Sequence, residues 1–326
     1  MDTSTRHVWM DLARGLAVVS MFVAHTSPAG GILAVSEYVT APLFAALLGG
    51  AAHHVFERWR GGTGRYLLAM SLRGLILLGA GMLAQPIYAQ IVVVLQWLGA
   101  LSIPMALILV LRLRSSWLLI GAAAVVAVSP PLMDAAREWR AADPFHAAAP
   151  LVDFLISGRY YRLFPMLASG LVGIVLARRL ATVERVRLWP AVVACGAAAA
   201  AVVLGKITPL GGGADSGSWR ELIASLALVV AAAYGSRWLA GLKHAAWFTP
   251  LVATGQLAMT AYVLQLVVLR VITDVVYAGG RDDHWWVLGV LTAGVVAFCT
   301  AWRRWVGRGP LERVLRLPLT ALRADR

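Results

Sequence analysis

Apolar runs of roughly twenty residues recur from one end of this chain to the other, and nothing else in the sequence restricts its fold as strongly. They cover residues 9–27, 33–56, 66–85, 90–111, 116–133, 160–178, 188–205, 219–236, 249–275 and 284–302. About twenty apolar residues suffice for a helix to cross the hydrocarbon core. The runs lack the two-residue alternation of a barrel strand, so helices are the available way to satisfy the backbone in lipid. The expected fold is therefore all-α: a polytopic membrane bundle of about ten helices. Composition agrees, with 60% hydrophobic residues, 14% charged residues and a mean hydropathy of +0.75, against about a quarter charged in ordinary globular proteins. No repeat or composition shift marks a boundary. Residues 1–306 read as one bundle and 307–326 as a basic amphipathic tail lying on the membrane surface.

The net charge of +13 does not point to nucleic acid, because its arginines sit in alternate connections instead of one patch. Arg58, Arg60 and Arg65 fall in one such connection, then Arg112 and Arg114, then Arg178, Arg179, Arg185 and Arg187, then Arg237 and Lys243. The tail adds Arg303, Arg304, Arg308, Arg313, Arg316, Arg323 and Arg326. The intervening connections hold few. By the positive-inside rule both termini are predicted to be cytoplasmic, in a bacterial plasma membrane. Asp11 and Arg14 interrupt the first run and no small-residue cleavage site follows it, so it reads as a retained helix, not a signal peptide. Cys195 and Cys299 lie in apolar runs and have no neighbours at ligand spacing, and His53 and His54 point apart on a helix. No metal is expected.

Three outer segments are long enough to act: 134–159, the glycine-rich 206–218, and 276–284. Within the runs, polar residues need a reason, since a charge at mid-bilayer costs about 2.5–3.5 kcal/mol on insertion scales. Arg14 and His25 share one face of the first helix, about 16 Å apart along its axis, with Asp11 a turn below Arg14. Arg73, Gln96, Arg162 and Gln265 add to the interior inventory, while Arg270 and Asp274 are spaced to pair with each other.

Asp11-Leu12-Ala13-Arg14-Gly15 with a terminal His25 resembles the first helix of the transmembrane acyltransferases. These include the acyltransferase-3 family and the heparan-alpha-glucosaminide N-acetyltransferase family. Pro42-Leu43-Phe44 with Gly49, the stretch Val94-Leu95-Gln96-Trp97-Leu98-Gly99, and Phe164-Pro165 with Gly170 and Gly173 are similar to segments of the same group. Residues 255–265, including Tyr262 and Gln265, and Gly309-Pro310-Leu311-Glu312 with Arg316 resemble a bacterial sister family of largely unassigned function. The chain departs from the N-acetyltransferase pattern at Tyr38, Trp97 and Gln265, where that family has aspartate, arginine and histidine.

The resemblance implies transfer of an acyl group, acetyl above all, from cytoplasmic acyl-coenzyme A to a hydroxyl or amine of an extracytoplasmic sugar or envelope glycan. Arg14, Arg73 and Gln96 would then serve the donor, since arginine matches phosphate oxygens. His25 would act as general base or acyl carrier, with Glu37 orienting it. Asp153, Tyr160, Tyr161 and Arg162 are the candidate acceptor contacts. A donor passage open to the cytosol is expected to end at His25. The expected partners are membrane lipids, acyl-coenzyme A and the acceptor; a homodimer is left open. The alternative is a secondary transporter or exporter of a small polar or lipid-linked solute.

Overall fold

A computed structural model describes residues 8–28, 31–88, 90–183, 186–207, 216–242, 245–277 and 283–323. Lys243, Arg185, Arg281, Asp282, Arg326 and Gly211 to Gly213 lie outside these residues. Fourteen α-helices run through the described residues in the order α1 (Val8–Thr26), α2 (Val35–Glu57), α3 (Thr63–Ala84), α4 (Leu95–Val110), α5 (Ser115–Ala142), α6 (Ala149–Val152), α7 (Leu163–Thr182), α8 (Trp189–Ile207), α9 (Trp219–Leu239), α10 (Thr249–Gln256), α11 (Ala258–Val276), α12 (Trp285–Trp305), α13 (Pro310–Val314) and α14 (Leu317–Ala321). Among the described residues there is no strand, and eight helices are long and apolar enough to cross a membrane. The chain is an all-α polytopic helix bundle.

Each of the ten apolar runs carries a helix, but two depart from a simple crossing. The run that starts at residue 90 becomes helical only at Leu95, which leaves a non-helical stretch with Ile91, Val93 and Val94 buried, and a 16-residue helix, α4. The ninth run breaks at Leu257, where φ is −112° and ψ is 28°, splitting α10 from α11. The charged segment expected to begin at residue 134 is not a loop at its start. It continues α5 through Ala142, giving a helix of 28 residues.

Small residues set how closely the helices approach, as expected where lipid supplies no hydrophobic drive for association. A Cβ added at Gly255 would stand 1.7 Å from the Asp11 carbonyl oxygen, and one at Gly15 would stand 2.1 Å from that of Leu251. α1 and α10 therefore touch backbone to backbone. Ala13, Ala17, Val18 and Phe22 of α1 are fully buried, and the helix is wrapped by α2, α9, α10, α11 and α12.

Arg323 donates to the Arg58 carbonyl at 3.2 Å, so the tail lies on the face where α2 ends, here called the terminal face. Arginines there reach across the bundle to carbonyls of the α4–α5 connection and of the α7 C-cap. Arg178 donates to the Leu113 carbonyl at 2.8 Å and Arg237 to that of Val183 at 2.9 Å. The tail is docked rather than spread alongside. Leu311, Leu315 and Leu319 pack on the core, while Val314 and Leu317 stay exposed. Glu312 accepts from the backbone N–H groups of Met259 and Thr260 at 2.9 and 3.0 Å and from the Thr260 hydroxyl at 2.6 Å. The break at Leu257 exposes those two donors as the orphan first-turn groups of α11, and a carboxylate is the natural cap.

Candidate functional site

His25 ends α1 and faces α11, where its Nδ1 lies 2.6 Å from the Gln265 side-chain amide nitrogen. Gln265 is fully buried, and among the described residues its Oε1 has no hydrogen-bond partner. The two orientations of this amide select the two tautomers of the ring. A nitrogen facing the imidazole donates to Nδ1 and leaves the proton on Nε2. An oxygen facing it accepts from Nδ1–H and leaves Nε2 a bare lone pair.

The imidazole lines a cavity of about 300 Å³ in the half of the bundle away from the terminal face. Glu37, Tyr160, Tyr161 and Arg162 line the same cavity, so residues from α1, α2 and the segment before α7 converge there as their types suggested. Arg162 is buried and turns its Nε to the Gly158 carbonyl at 2.6 Å and its Nη2 to that of Arg159 at 2.9 Å. The expectation that Glu37 orients His25 is not met, because the ring nitrogen is taken by Gln265 while Glu37 stands exposed on the cavity wall. The arginine-to-histidine spacing located the ring. It held no information on which helix would pack across from it.

Two assignments move elsewhere. Asp153 does not enter the His25 cavity; it pairs with Arg140 at 3.1 Å and accepts from Ser157 at 2.9 Å, on a neighbouring surface bowl. The carboxylate sits in a π-helical turn over Asp153–Ser157, where Arg140 and Ser157 take up its two oxygens. Gln96 lines neither interior cavity. Its backbone nitrogen and Cγ fill the space a Cβ on Gly81 would occupy, so it packs between α3 and α4.

Sequence reading missed Glu221. It lines the His25 cavity and accepts from the Gly217 backbone N–H and the Ser216 hydroxyl. Ser218 caps the Glu221 backbone N–H at 3.4 Å, while the Ser218 N–H goes to the Ser216 hydroxyl and not to the Glu221 carboxylate, so Ser218-Trp219-Arg220-Glu221 has the capping-box sequence with one half of its reciprocal pair made. That motif was visible, but it reads only as a helix start until the fold brings α9 beside α2 and α7. Gln90, Ile91 and Val92, from the non-helical stretch, form another part of the wall.

A second cavity, about 140 Å³, lies toward the terminal face. Its walls are apolar, with Phe44, Leu47, Leu98 and Met259 among them, and Arg14, Arg73, Tyr262 and Leu315 also reach it. Arg14 pairs with Asp11 at 2.8 Å; Asp11 in turn accepts from Gln256 at 3.1 Å, whose carbonyl oxygen accepts from Arg303. Arg73 is near enough to feel the positive charges of Arg14 and Arg316. The single passage expected from the sequence is instead two stacked cavities with no lining residue in common. Between their levels the Tyr262 hydroxyl accepts from the Val94 backbone N–H at 3.2 Å. The remaining interior pair, Arg270 and Asp274, bind each other at 2.6 Å and face outward.

Residues 173–321 are similar to a family described as a protein of unknown function (DUF418), a match over a little less than half of the chain. No curated protein matches the sequence.

Proposed function

We propose that the protein transfers an acyl group, acetyl above all, from cytoplasmic acyl-coenzyme A to a hydroxyl or amine of an acceptor on the other side of the membrane. One observation carries the reading. A single helix presents Arg14 to an apolar cavity on the terminal face and His25 to a polar cavity in the opposite half. The arginine surplus of the terminal face supports placing it in the cytosol.

Arg14, Arg73 and Arg316 supply guanidinium groups for the donor's phosphates, whose oxygens match the planar fork. Phe44, Leu47, Leu98 and Met259 offer the pantetheine arm an apolar sleeve. The Val94–Tyr262 contact has to part for a thioester to reach His25. His25 Nε2 then takes the proton of the acceptor O–H or N–H as the acceptor heteroatom bonds to the thioester carbonyl carbon. The C–S bond breaks, and the leaving thiolate takes that proton from the imidazolium. This role requires the proton of the resting ring on Nδ1, which the Gln265 oxygen holds when it faces the ring. Glu37, Glu221, Tyr160 and Tyr161 are suited to bind acceptor hydroxyl groups.

Membranes given labelled acetyl-coenzyme A test the reading: His25→Ala is expected to lower transfer at least a hundredfold, and transfer at the wild-type rate rejects the catalytic role. A second reading, secondary transport, draws on the two separated cavities and on the interrupted backbone at residues 90–94 and Leu257. Counterflow of a labelled solute without any acyl donor would favour it.

A further inference from the structure

The segment that closes the His25 cavity also borders an open bowl of about 650 Å³ on the far face, lined by Arg137, Arg140, Asp153, Ser157, Gly158 and Arg159. Three guanidinium groups meet there, whereas the far-face connections 27–34 and 85–94 hold no arginine and 276–284 holds one. Arg137 and Arg140 are three residues apart on α5 and so share a face. Arg140 is fixed by Asp153 at 3.1 Å and by the Pro144 carbonyl. Arg137 is 46% exposed, lies 3.8 Å from Asp134 and donates to the Ser216 carbonyl at 3.4 Å. Arg159 is exposed and lies over the Tyr160 ring, 5.2 Å from its centroid.

The depth of this bowl follows from helix length. α5 has 28 residues and begins just after Arg112 and Arg114 on the terminal face. At 1.5 Å per residue it extends ~42 Å, about 12 Å beyond the hydrocarbon thickness, so Arg137 and Arg140 stand at headgroup level or just outside it. Arginine forks arranged around an open bowl at that depth suit a tetrahedral oxyanion.

We propose that this bowl is a binding site for a phosphate group carried by a molecule that reaches the far face, from either a lipid headgroup or a soluble phosphate ester. The binding claim is independent of acyl transfer. Its consequence for that reaction, which rests on the acyltransferase reading, is that an acceptor held by its phosphate beside Arg159 places its remaining length over Tyr160 and into the His25 cavity.

The test uses the purified full-length protein in uncharged detergent with no acyl donor present. Short-chain dihexanoyl phosphatidic acid and glycerol 3-phosphate are titrated separately and followed by phosphorus NMR. The wild type is expected to bind at least one probe, and Arg137→Gln/Arg159→Gln to weaken that binding at least tenfold. Arg60→Gln/Arg304→Gln, which removes two charges from the terminal face, should leave it unchanged. Binding of the lipid probe alone assigns the phosphate to a membrane source, and binding of glycerol phosphate, alone or as well, to recognition of the ester itself; each supports the site. If neither probe binds, or both double variants lose affinity equally, the proposal is overturned. Because binding is read without a donor, failure here leaves the role of His25 untouched.

Discussion

Gln265 holds His25 across the α1–α11 interface at 2.6 Å, and it does so with a side chain that is itself fully enclosed. A buried amide with one end unsatisfied is costly, and its orientation sets which tautomer the ring adopts. Gln265→Glu fixes the acceptor toward Nδ1 and is expected to retain acetyl transfer. Gln265→Leu, close in volume but without a polar atom, is expected to lower the rate at least tenfold with little change in donor KM. Equal rates for the two variants would show that the ring needs no partner.

The capping of α11 by the tail gives a second prediction. Glu312→Ala removes three acceptor contacts from the break after Leu257, and a lost cap costs about 1–2 kcal/mol. Trypsin should then cut at Arg316 and Arg323 several times faster than in the wild type, because docking of 310–323 depends on that cap. Unchanged cleavage would mean that Leu311, Leu315 and Leu319 hold the tail without it.

Helix contact at Gly255 predicts a sharp contrast between glycines. Gly255→Ala puts a methyl against the Asp11 carbonyl, and overpacking of this kind costs about 1–3 kcal/mol. Gly294→Ala faces open space on α12 and gains the better helix propensity of alanine, about 0.8–1.0 kcal/mol in soluble hosts. Melting in detergent should fall for the first and hold or rise for the second. A fall of equal size in both would place the cost in lipid contact and not in the α1–α10 approach.

Partition between the cavities is open to chemical labelling. With Cys195 replaced by serine, a cysteine at Ala41, on the wall of the His25 cavity, should resist a charged thiol reagent supplied only from the terminal face. Tyr262→Ala is expected to raise its labelling rate at least tenfold. No change would show that Tyr262 does not separate the two spaces.

Orientation can be read with a reporter fused after Arg326. A fluorescent protein that matures only in the cytosol should glow there, while a phosphatase active only outside should stay silent. The reverse pattern would invert the membrane and with it the assignment of the donor cavity.

Much of the bundle was legible in the sequence because the bilayer imposes a length that shows in every run, and helices stand at all ten positions. The convergence of His25, Glu37, Tyr160, Tyr161 and Arg162 on one cavity was legible from residue type and level along the helices. Three features were hidden for physical reasons. Hydropathy does not distinguish helix from buried irregular backbone, so 90–94 read as part of a helix. The pairing of Asp153 with Arg140 inside a π-turn depends on local backbone geometry that apolar periodicity does not encode. Glu221 follows the Ser218 cap at helix-start spacing and carries no other local signal; its place on the cavity wall exists only because α9 packs beside α2 and α7.

Tyr88, Ile91, Val93 and Val94 are buried without being helical, and two of these amides lean on side chains: Val93 on Gln85 at 2.9 Å, Val94 on Tyr262 at 3.2 Å. A barrier assembled from such contacts differs mechanically from one made of coiled backbone. Swinging one phenol aside leaves one buried amide without its acceptor, about 1–3 kcal/mol, whereas unwinding a helical turn at the same depth would strand several amides in oil. Parting the Val94–Tyr262 contact would therefore disturb one side-chain bond and leave the helical backbone of the spanning segments intact.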